Sequence, residues 1–135
     1  IAAFTVQEAV EAAQKLGGIK ALRNKSLALT EAFIGGVEQR VPGAVIATPR
    51  DSAMRGSQVS FSLPQGVDGY AVMQALIAQG VIGDFRAGDP ELLRFGFAPL
   101  YNGFADVARA VDVLVSILDT KSWDAPQFTS RSKVT

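Results

Sequence analysis

Arg94 is the residue of this sequence whose surroundings most need a chemical explanation. It lies between Leu93 and Phe95 in the run ELLRFGFAPLYNGF, residues 91–104, which otherwise has the apolar character of a strand. An arginine side chain keeps its positive charge, and removing that charge from water is costly unless a negative group pairs with it. The sequence therefore predicts an anionic partner for Arg94.

Two kinds of anion are open for Arg94. Alternation along a strand puts Arg94 on the face opposite Phe95 and Phe97. The residues that share its face are Gly96 and Ala98. These small neighbours leave room for a ligand, and a guanidinium binds a carboxylate through two parallel hydrogen bonds, so an organic acid fits. A partly buried salt bridge to Asp84 or Asp89 explains the arginine equally well.

Two further charged residues near strands have structural explanations. Asp84, in the stretch GDFR, is predicted to pair with Arg86. Arg55 precedes a strand, and the sequence predicts either a solvated charge or a pair with Asp51. Neither prediction requires a ligand, so Arg94 remains the candidate binding residue.

The residue types that are missing exclude several kinds of chemistry. The sequence contains no histidine and no cysteine, which removes the commonest general base, the commonest zinc ligand and every thiolate. Neither Ser-His nor Cys-His catalysis is therefore possible with this chain alone. The phosphate-binding patterns G-x-x-x-x-G-K-[ST] and G-x-G-x-x-G are absent, and the acidic residues are too scattered to nominate a catalytic carboxylate pair.

Composition and charge limit the class of protein. Hydrophobic residues make up 48% of the 135 residues and charged residues 19%, which predicts one folded unit. Thirteen basic and thirteen acidic residues leave no net field that would attract nucleic acid or an acidic membrane surface. No run reaches the ~18 apolar residues of a membrane span, and no signal-peptide pattern is present, so we expect a soluble, cytoplasmic protein. The start at Ile1 predicts a piece of a longer chain.

The hydrophobic periodicity predicts helices and strands in the order α, β, β, α, β, β, α. A capping box of Thr5 and Glu8 starts a helix near Val6, which is kinked or divided at Gly17 and reaches about Arg40. Strands are predicted in AVIAT and SQVSFSL, followed by a helix that starts near residue 67. The expected fold is an α+β two-layer sandwich in which helices cover a small, mainly antiparallel sheet.

The second half of the pattern contains a hairpin and a final helix. The segments VIGDFR and LLRFGFA are predicted to pair antiparallel, after a helix that Gly80 caps. The last helix is predicted to begin with Asn102 as its N-cap and with Asp106 in its first turn. The tail shows no period and is predicted to be irregular, with Trp123 and Phe128 as anchors.

Four stretches together resemble the C-terminal part of the kynureninase family, enzymes of fold type I that depend on pyridoxal phosphate. They are KSLALTEAFI, RGSQVSFSLP, GVIGDFR and LLRFGFAPLYNGFADVARAVDVLVSIL, and the resemblance runs from about Phe4 to Leu118. The pattern K-S-L-x-L-T occurs across the class-V aminotransferase group. The pattern R-x-G-F-A-P-L-Y-N-G-F, preceded by G-D-F-R, is what resembles kynureninases in particular.

The resemblance implies a role for Arg94 and an architecture for the chain. Residues 1–40 would be a helical connector from a large cofactor domain, and residues 41–135 would be the small C-terminal domain of an aspartate-aminotransferase-like fold. The substrate-carboxylate arginine of the family falls on Arg94, which would bind L-kynurenine. Hydrolysis of the Cβ–Cγ bond would then release anthranilate and L-alanine. The family also implies a homodimer with active sites at the interface.

The resemblance also implies that this chain lacks the catalytic groups. The lysine that forms a Schiff base with pyridoxal phosphate and the phosphate-binding groups belong to the large domain in this family. The lysines of this sequence stand outside the family's lysine motif; they are Lys15, Lys20, Lys25, Lys121 and Lys133. We therefore predict no catalytic, cofactor-binding or metal-binding residue in this segment, and an inactive isolated chain.

Two other functions remain open at this stage. The small domain of a transaminase of the same group would bind a carboxylate in the same way. A cysteine desulfurase of that group would need a reactive cysteine, which the sequence lacks. From a different class, the chain could be a ligand-binding module without catalysis, although its start without methionine argues against an independent module.

Overall fold

The computed structural model describes residues 6–15 and 17–130, and within them the predicted order of elements is confirmed. The fold is α+β, with a small antiparallel sheet covered by helices on one face. One turn of 3-10 helix, Ser52–Met54, lies in the loop before the second strand. The elements are α1 (Val6–Lys15), α2 (Gly18–Arg40), β1 (Val45–Ile46), β2 (Gln58–Ser62), α3 (Gly69–Ala78), β3 (Asp84–Arg86), β4 (Leu92–Gly96), α4 (Phe104–Thr120) and α5 (Pro126–Thr129).

The sheet has the strand order β1-β2-β4-β3, and each neighbouring pair is antiparallel. One register row crosses three strands, since Ser60 of β2 lies opposite Arg94 and Arg94 lies opposite Asp84 of β3. Leu93 and Phe95 are buried on the helix-covered face. Because side chains alternate along a strand, the row that contains Arg94 lies on the other, open face of the sheet.

The core lies between the sheet and helices α2, α3 and α4. Phe33 of α2 is 1% exposed, and its ring centre lies 6.0 Å from that of Phe61, 5.3 Å from that of Phe95 and 5.4 Å from that of Phe97. Tilted and edge-on ring pairs at these separations are favourable. The aromatic contacts therefore join α2 to both central strands of the sheet.

The helix boundaries confirm some predictions and correct others. Gly17 has φ 98°, a left-handed conformation that ends the run of α1, so the predicted break is confirmed with two helices in succession. Gly80, with φ 85°, follows α3 as predicted. Thr5 lies outside the described residues, so the predicted capping box remains a prediction.

Two predictions about the last quarter of the chain are wrong. The N-cap of α4 is Gly103 rather than Asn102, because the Asn102 side chain instead accepts a hydrogen bond from the Ala98 amide at 2.7 Å. Asp106 is in the first turn, as predicted, and accepts from the Gly103 amide at 2.8 Å. The tail is also not wholly irregular. It contains α5, a single turn that is too short to show a period in the sequence.

The predicted anchors in the tail are confirmed, since Trp123 and Phe128 pack against the hydrophobic core.

The division into a connector, residues 1–40, and a small domain, residues 41–135, remains a prediction. Four side chains of α2 are buried in the same core as the sheet, namely Leu29, Phe33, Ile34 and Val37. No helix within the described residues is long and apolar enough to cross a membrane.

The close approach of β3 to β4 depends on a glycine, and this gives a stability prediction. A Cβ at Gly83 would lie 2.7 Å from the carbonyl oxygen of Arg94 and 2.8 Å from the ring of Phe95. We expect Gly83→Ala to lower the free energy of unfolding by about 1–3 kcal/mol, because backbone and core must shift to admit the methyl group. Urea-induced unfolding, followed by the fluorescence of Trp123, measures the change.

Gly96→Ala is the matched control, because a Cβ at Gly96 would meet no heavy atom within 4 Å. We expect little change in the free energy of unfolding for this variant. Equal losses for the two variants would contradict the role assigned to the close contact at Gly83.

Candidate active site on the open face of the sheet

Arg94 forms an ion pair with Asp84 across neighbouring strands. Arg94 Nε donates to Asp84 Oδ1 and Arg94 Nη2 donates to Asp84 Oδ2, both at 2.7 Å. This confirms the salt-bridge interpretation with Asp84 as the partner. The predicted pair between Asp84 and Arg86 is wrong, because the antiparallel register places Arg94 directly opposite Asp84, whereas Arg86 is two residues further along the same strand.

The two hydrogen bonds of the pair are short, but both side chains are partly exposed to solvent. The Arg94 side chain is 27% exposed and the Asp84 side chain 54% exposed. The hydrogen bonds from Arg94 lower the pKa of Asp84 from its ordinary value of 3.8, and the nearby charge of Arg86 acts in the same direction. The same hydrogen bonds raise the pKa of Arg94. Both groups are therefore charged throughout the physiological range.

A shallow depression lies beside β2 and is bordered by Leu92 of β4. Its volume is about 430 Å³, and we call it the β2 depression. Its polar lining residues are Thr48, Arg55, Gln58 and Ser60. Arg94 does not line it, but Ser60 is the register partner of Arg94. The space above Gly96 is also open. The room that the sequence predicts beside Arg94 is present above Gly96, and a ligand in it remains a prediction.

Arg55 differs from its prediction in burial and in partner. It is only 4% exposed, so it is not a solvated loop charge, and Arg55 Nη2 lies 3.0 Å from Glu31 Oε2 rather than beside Asp51. Arg55 Nη1 also donates to the carbonyl of Arg50 at 3.1 Å, whereas Nε has no hydrogen-bond partner within the described part of the chain. Glu31 is distant in sequence, so no local pattern could have identified it.

Two cationic side chains of α2 hold loops at the ends of the central strands. Arg23 Nη2 donates to the carbonyls of Ser52, at 2.8 Å, and Arg55, at 2.5 Å. Lys25 Nζ donates to the carbonyl of Pro99 at 2.8 Å. Sequence analysis missed both contacts, because every residue carries a carbonyl oxygen and the acceptor has no signature in the sequence.

The lysines among the described residues lie at the surface or bind a backbone carbonyl. Lys15, Lys20 and Lys121 are exposed, and Lys25 is engaged with the Pro99 carbonyl. Lys133 lies outside the described residues. Nor do the described residues contain a group of three or more His, Cys, Asp or Glu side chains that could hold a metal ion.

The lowered pKa of Asp84 predicts how the ion pair contributes to stability as the pH changes. A carboxyl group whose pKa is lowered by folding stabilises the folded state above its unfolded pKa, and this contribution is lost as pH falls through the folded pKa. We expect the difference in free energy of unfolding between the wild type and Asp84→Asn to be constant above about pH 5 and to shrink below the ordinary value of 3.8. Urea titrations at a series of pH values measure it. A difference that persists unchanged down to pH 2 would contradict the assignment.

The buried charge of Arg55 predicts an asymmetry between two glutamates of α2. Glu31→Gln removes the carboxylate that compensates a buried guanidinium, so we expect the free energy of unfolding to fall by about 1–3 kcal/mol. Glu38→Gln is the control, because within the described residues Glu38 pairs with the exposed Arg50, with Arg50 Nη1 2.6 Å from Glu38 Oε1. Glu31 shares this exposed partner, so the two variants differ in the contact with buried Arg55. Urea unfolding of both variants tests this, and a loss for Glu38→Gln as large as that for Glu31→Gln would refute it.

Comparisons with known proteins identify relatives of this chain. The family model described as "Kynureninase C-terminal domain" matches residues 22–114. Kynureninases of Burkholderia mallei (strain SAVP1) and Burkholderia pseudomallei (strain K96243) are each 56% identical over 117 residues, which cover 85% of this chain and 27% of the relative. Kynureninase of Pseudomonas fluorescens is 53% identical over 116 residues, 84% of this chain and 27% of that protein.

The matched region includes α2 from Leu22 onward, all four strands, α3 and the first part of α4, up to Leu114. Arg94, Asp84 and the β2 depression therefore all lie inside it. The chain spans 27% of the length of the curated relatives it matches. On the family match, this chain belongs to the kynureninase C-terminal domain family.

Proposed function

We propose that this chain is the C-terminal domain of a full-length enzyme that hydrolyses L-kynurenine to anthranilate and L-alanine, and that Arg94 binds the carboxylate of the substrate. The names of the relatives support the substrate class, since each is a kynureninase. They favour this reaction over a transamination, which would use a carboxylate-binding arginine equally well. Cytoplasmic location and a homodimer belong to the same proposal.

The observation that carries the role of Arg94 is its position on the open face. Its guanidinium is held in one orientation by Asp84, yet 27% of the side chain remains exposed. The open space above Gly96, on the same strand face, leaves room beside it for a small organic acid, and the β2 depression lies over the neighbouring strand. A buried arginine that used every donor within the protein could not bind a second carboxylate.

A bidentate contact with Arg94 would do more than hold the substrate. It would hold the carboxylate in one orientation. The substrate could then turn less freely, which limits which bond at Cα faces the reacting groups. Positioning of this kind lowers the barrier because orientation is set before the reaction begins. Arg94 would thus act by binding and orientation, without transferring a proton.

The catalytic groups belong, in this proposal, to the remainder of the longer protein. Pyridoxal phosphate would be bound there, because the lysines of this chain stand outside the family's lysine motif. We therefore assign no reaction step to the residues of this segment beyond substrate binding, and we expect the isolated chain to be inactive.

Substitution of Arg94 in the full-length enzyme tests the proposal. We expect Arg94→Ala to lower kcat/KM for L-kynurenine roughly ten- to hundredfold, the effect of losing one charge-assisted contact. Arg94→Lys should also be impaired, because an ammonium group cannot reproduce the planar fork of a guanidinium. Steady-state kinetics with purified enzyme measures both changes.

Arg40→Ala is the control, since Arg40 is a half-exposed arginine at the end of α2 that pairs with Asp112. Its kcat/KM should stay near that of the wild type. If Arg94→Ala leaves kcat/KM unchanged, the proposed role is wrong, and full activity of Arg94→Lys would reduce that role to a simple charge.

A further inference from the structure

We propose that Asp84 is a positioning residue for Arg94, one that remains bound while a ligand carboxylate occupies the free edge of the guanidinium. Two carboxylates would then share one arginine, Asp84 on one edge and the substrate on the other. This inference rests on the proposed function, in which Arg94 binds a carboxylate. It adds Asp84 to that site as a residue that orients Arg94, rather than one that competes with the substrate carboxylate for it.

The first argument comes from the donors that Asp84 leaves free. A guanidinium has five N–H donors in a fixed plane and can meet a carboxylate along more than one edge. Asp84 uses the edge formed by Nε and Nη2. Within the described residues no hydrogen bond to Arg94 Nη1 is present, so the edge formed by Nη1 and the second hydrogen of Nη2 remains available.

The second argument is that the sheet itself holds Asp84 in place. Asp84 belongs to β3, whose register opposite β4 is defined by three residue pairs. Gly83 brings the backbone of this segment close to the Arg94 carbonyl, and the Phe85 ring packs edge-on against Tyr70 at 5.7 Å. A carboxylate fixed in this way limits the orientations open to a long arginine side chain. Less conformational entropy is then lost when a ligand binds.

The third argument is the direction in which the free edge must face. β4 lies between β3 and β2, so Asp84 approaches the guanidinium from one side, and Ser60, its register neighbour on β2, lies on the other. The edge that Asp84 does not use, formed by Nη1 and Nη2, points along the axis of the side chain and away from Nε, and 27% of the Arg94 side chain is exposed. A ligand carboxylate could reach that edge without displacing Asp84.

The charge of Asp84 works against a ligand carboxylate, and this opposing effect must be weighed. Asp84 is 54% exposed, so water screens its repulsion, and Arg86 on the same strand adds a positive charge that offsets it. The hydrogen bonds from Arg94, in contrast, are short and depend on geometry that water cannot replace. Orientation is therefore expected to outweigh repulsion.

A comparison of two ligands in the full-length enzyme tests this inference. The ligands are L-kynurenine and its decarboxylated analogue, an amine identical except for the missing carboxylate. The quantities are KM for L-kynurenine and the inhibition constant of the analogue. We expect Asp84→Asn to raise KM for L-kynurenine about fivefold or more, and to leave the inhibition constant of the analogue unchanged.

The variants separate the failure of this inference from the failure of the proposed function. Arg94→Ala should lower kcat/KM for L-kynurenine without changing the inhibition constant of the analogue, and an unchanged kcat/KM overturns the proposed function itself. If Arg94→Ala behaves as expected while Asp84→Asn lowers KM or leaves it unchanged, Asp84 competes with the substrate or is a bystander. The positioning role is then wrong.

The remaining outcome is a general disturbance of the site. If Asp84→Asn weakens both ligands equally, Asp84 stabilises the fold around the site without positioning Arg94, and the inference is again overturned. Asp119→Asn serves as the matched control, because Asp119 is an exposed aspartate near the end of α4. It should leave both constants at their wild-type values.

Discussion

The register of β4 between its two neighbours determines which of its side chains enter the core and which face the open side of the sheet. In the observed register Leu93 and Phe95 enter the core, and Arg94 faces the open side between Ser60 and Asp84. A slip of one residue would exchange the two faces, burying the arginine and exposing both apolar side chains. The hydrophobic core thus holds the charged residue in position, because the free energy of burying its neighbours opposes every other register.

Helix α2 connects this core to the loops around the open face. Phe33 packs against the rings of the central strands, while the cationic side chains nearer the start of the helix bind loop carbonyls. Buried Arg55 and its partner Glu31 add a charged link between the same helix and the loop before β2. One element therefore supports both the sheet and the rim of the β2 depression.

Local patterns in the sequence were sufficient for the elements and their order. Alternation in LLRFG and QVSFS, the glycines at 17 and 80, and the helical stripe of α4 each encode a structure that forms within a few residues. The errors occurred where a side chain met a partner outside its own element or where an element was very short. Arg55 pairs with Glu31, which belongs to the distant helix α2. Asn102 binds the Ala98 amide, which leaves Gly103 as the N-cap of α4. Helix α5 was missed because it is a single turn.

The sequence alone determined that Arg94 needs an anion and that it shares a strand face with Gly96. Both follow from the permanent charge of the guanidinium and the two-residue period of a strand. Only the tertiary structure decided that the anion within this chain is Asp84, that Asp84 takes one edge of the guanidinium, and that a depression lies over the neighbouring strand β2. These features depend on strand order and register, which arise from packing between distant segments and leave no local pattern in the sequence.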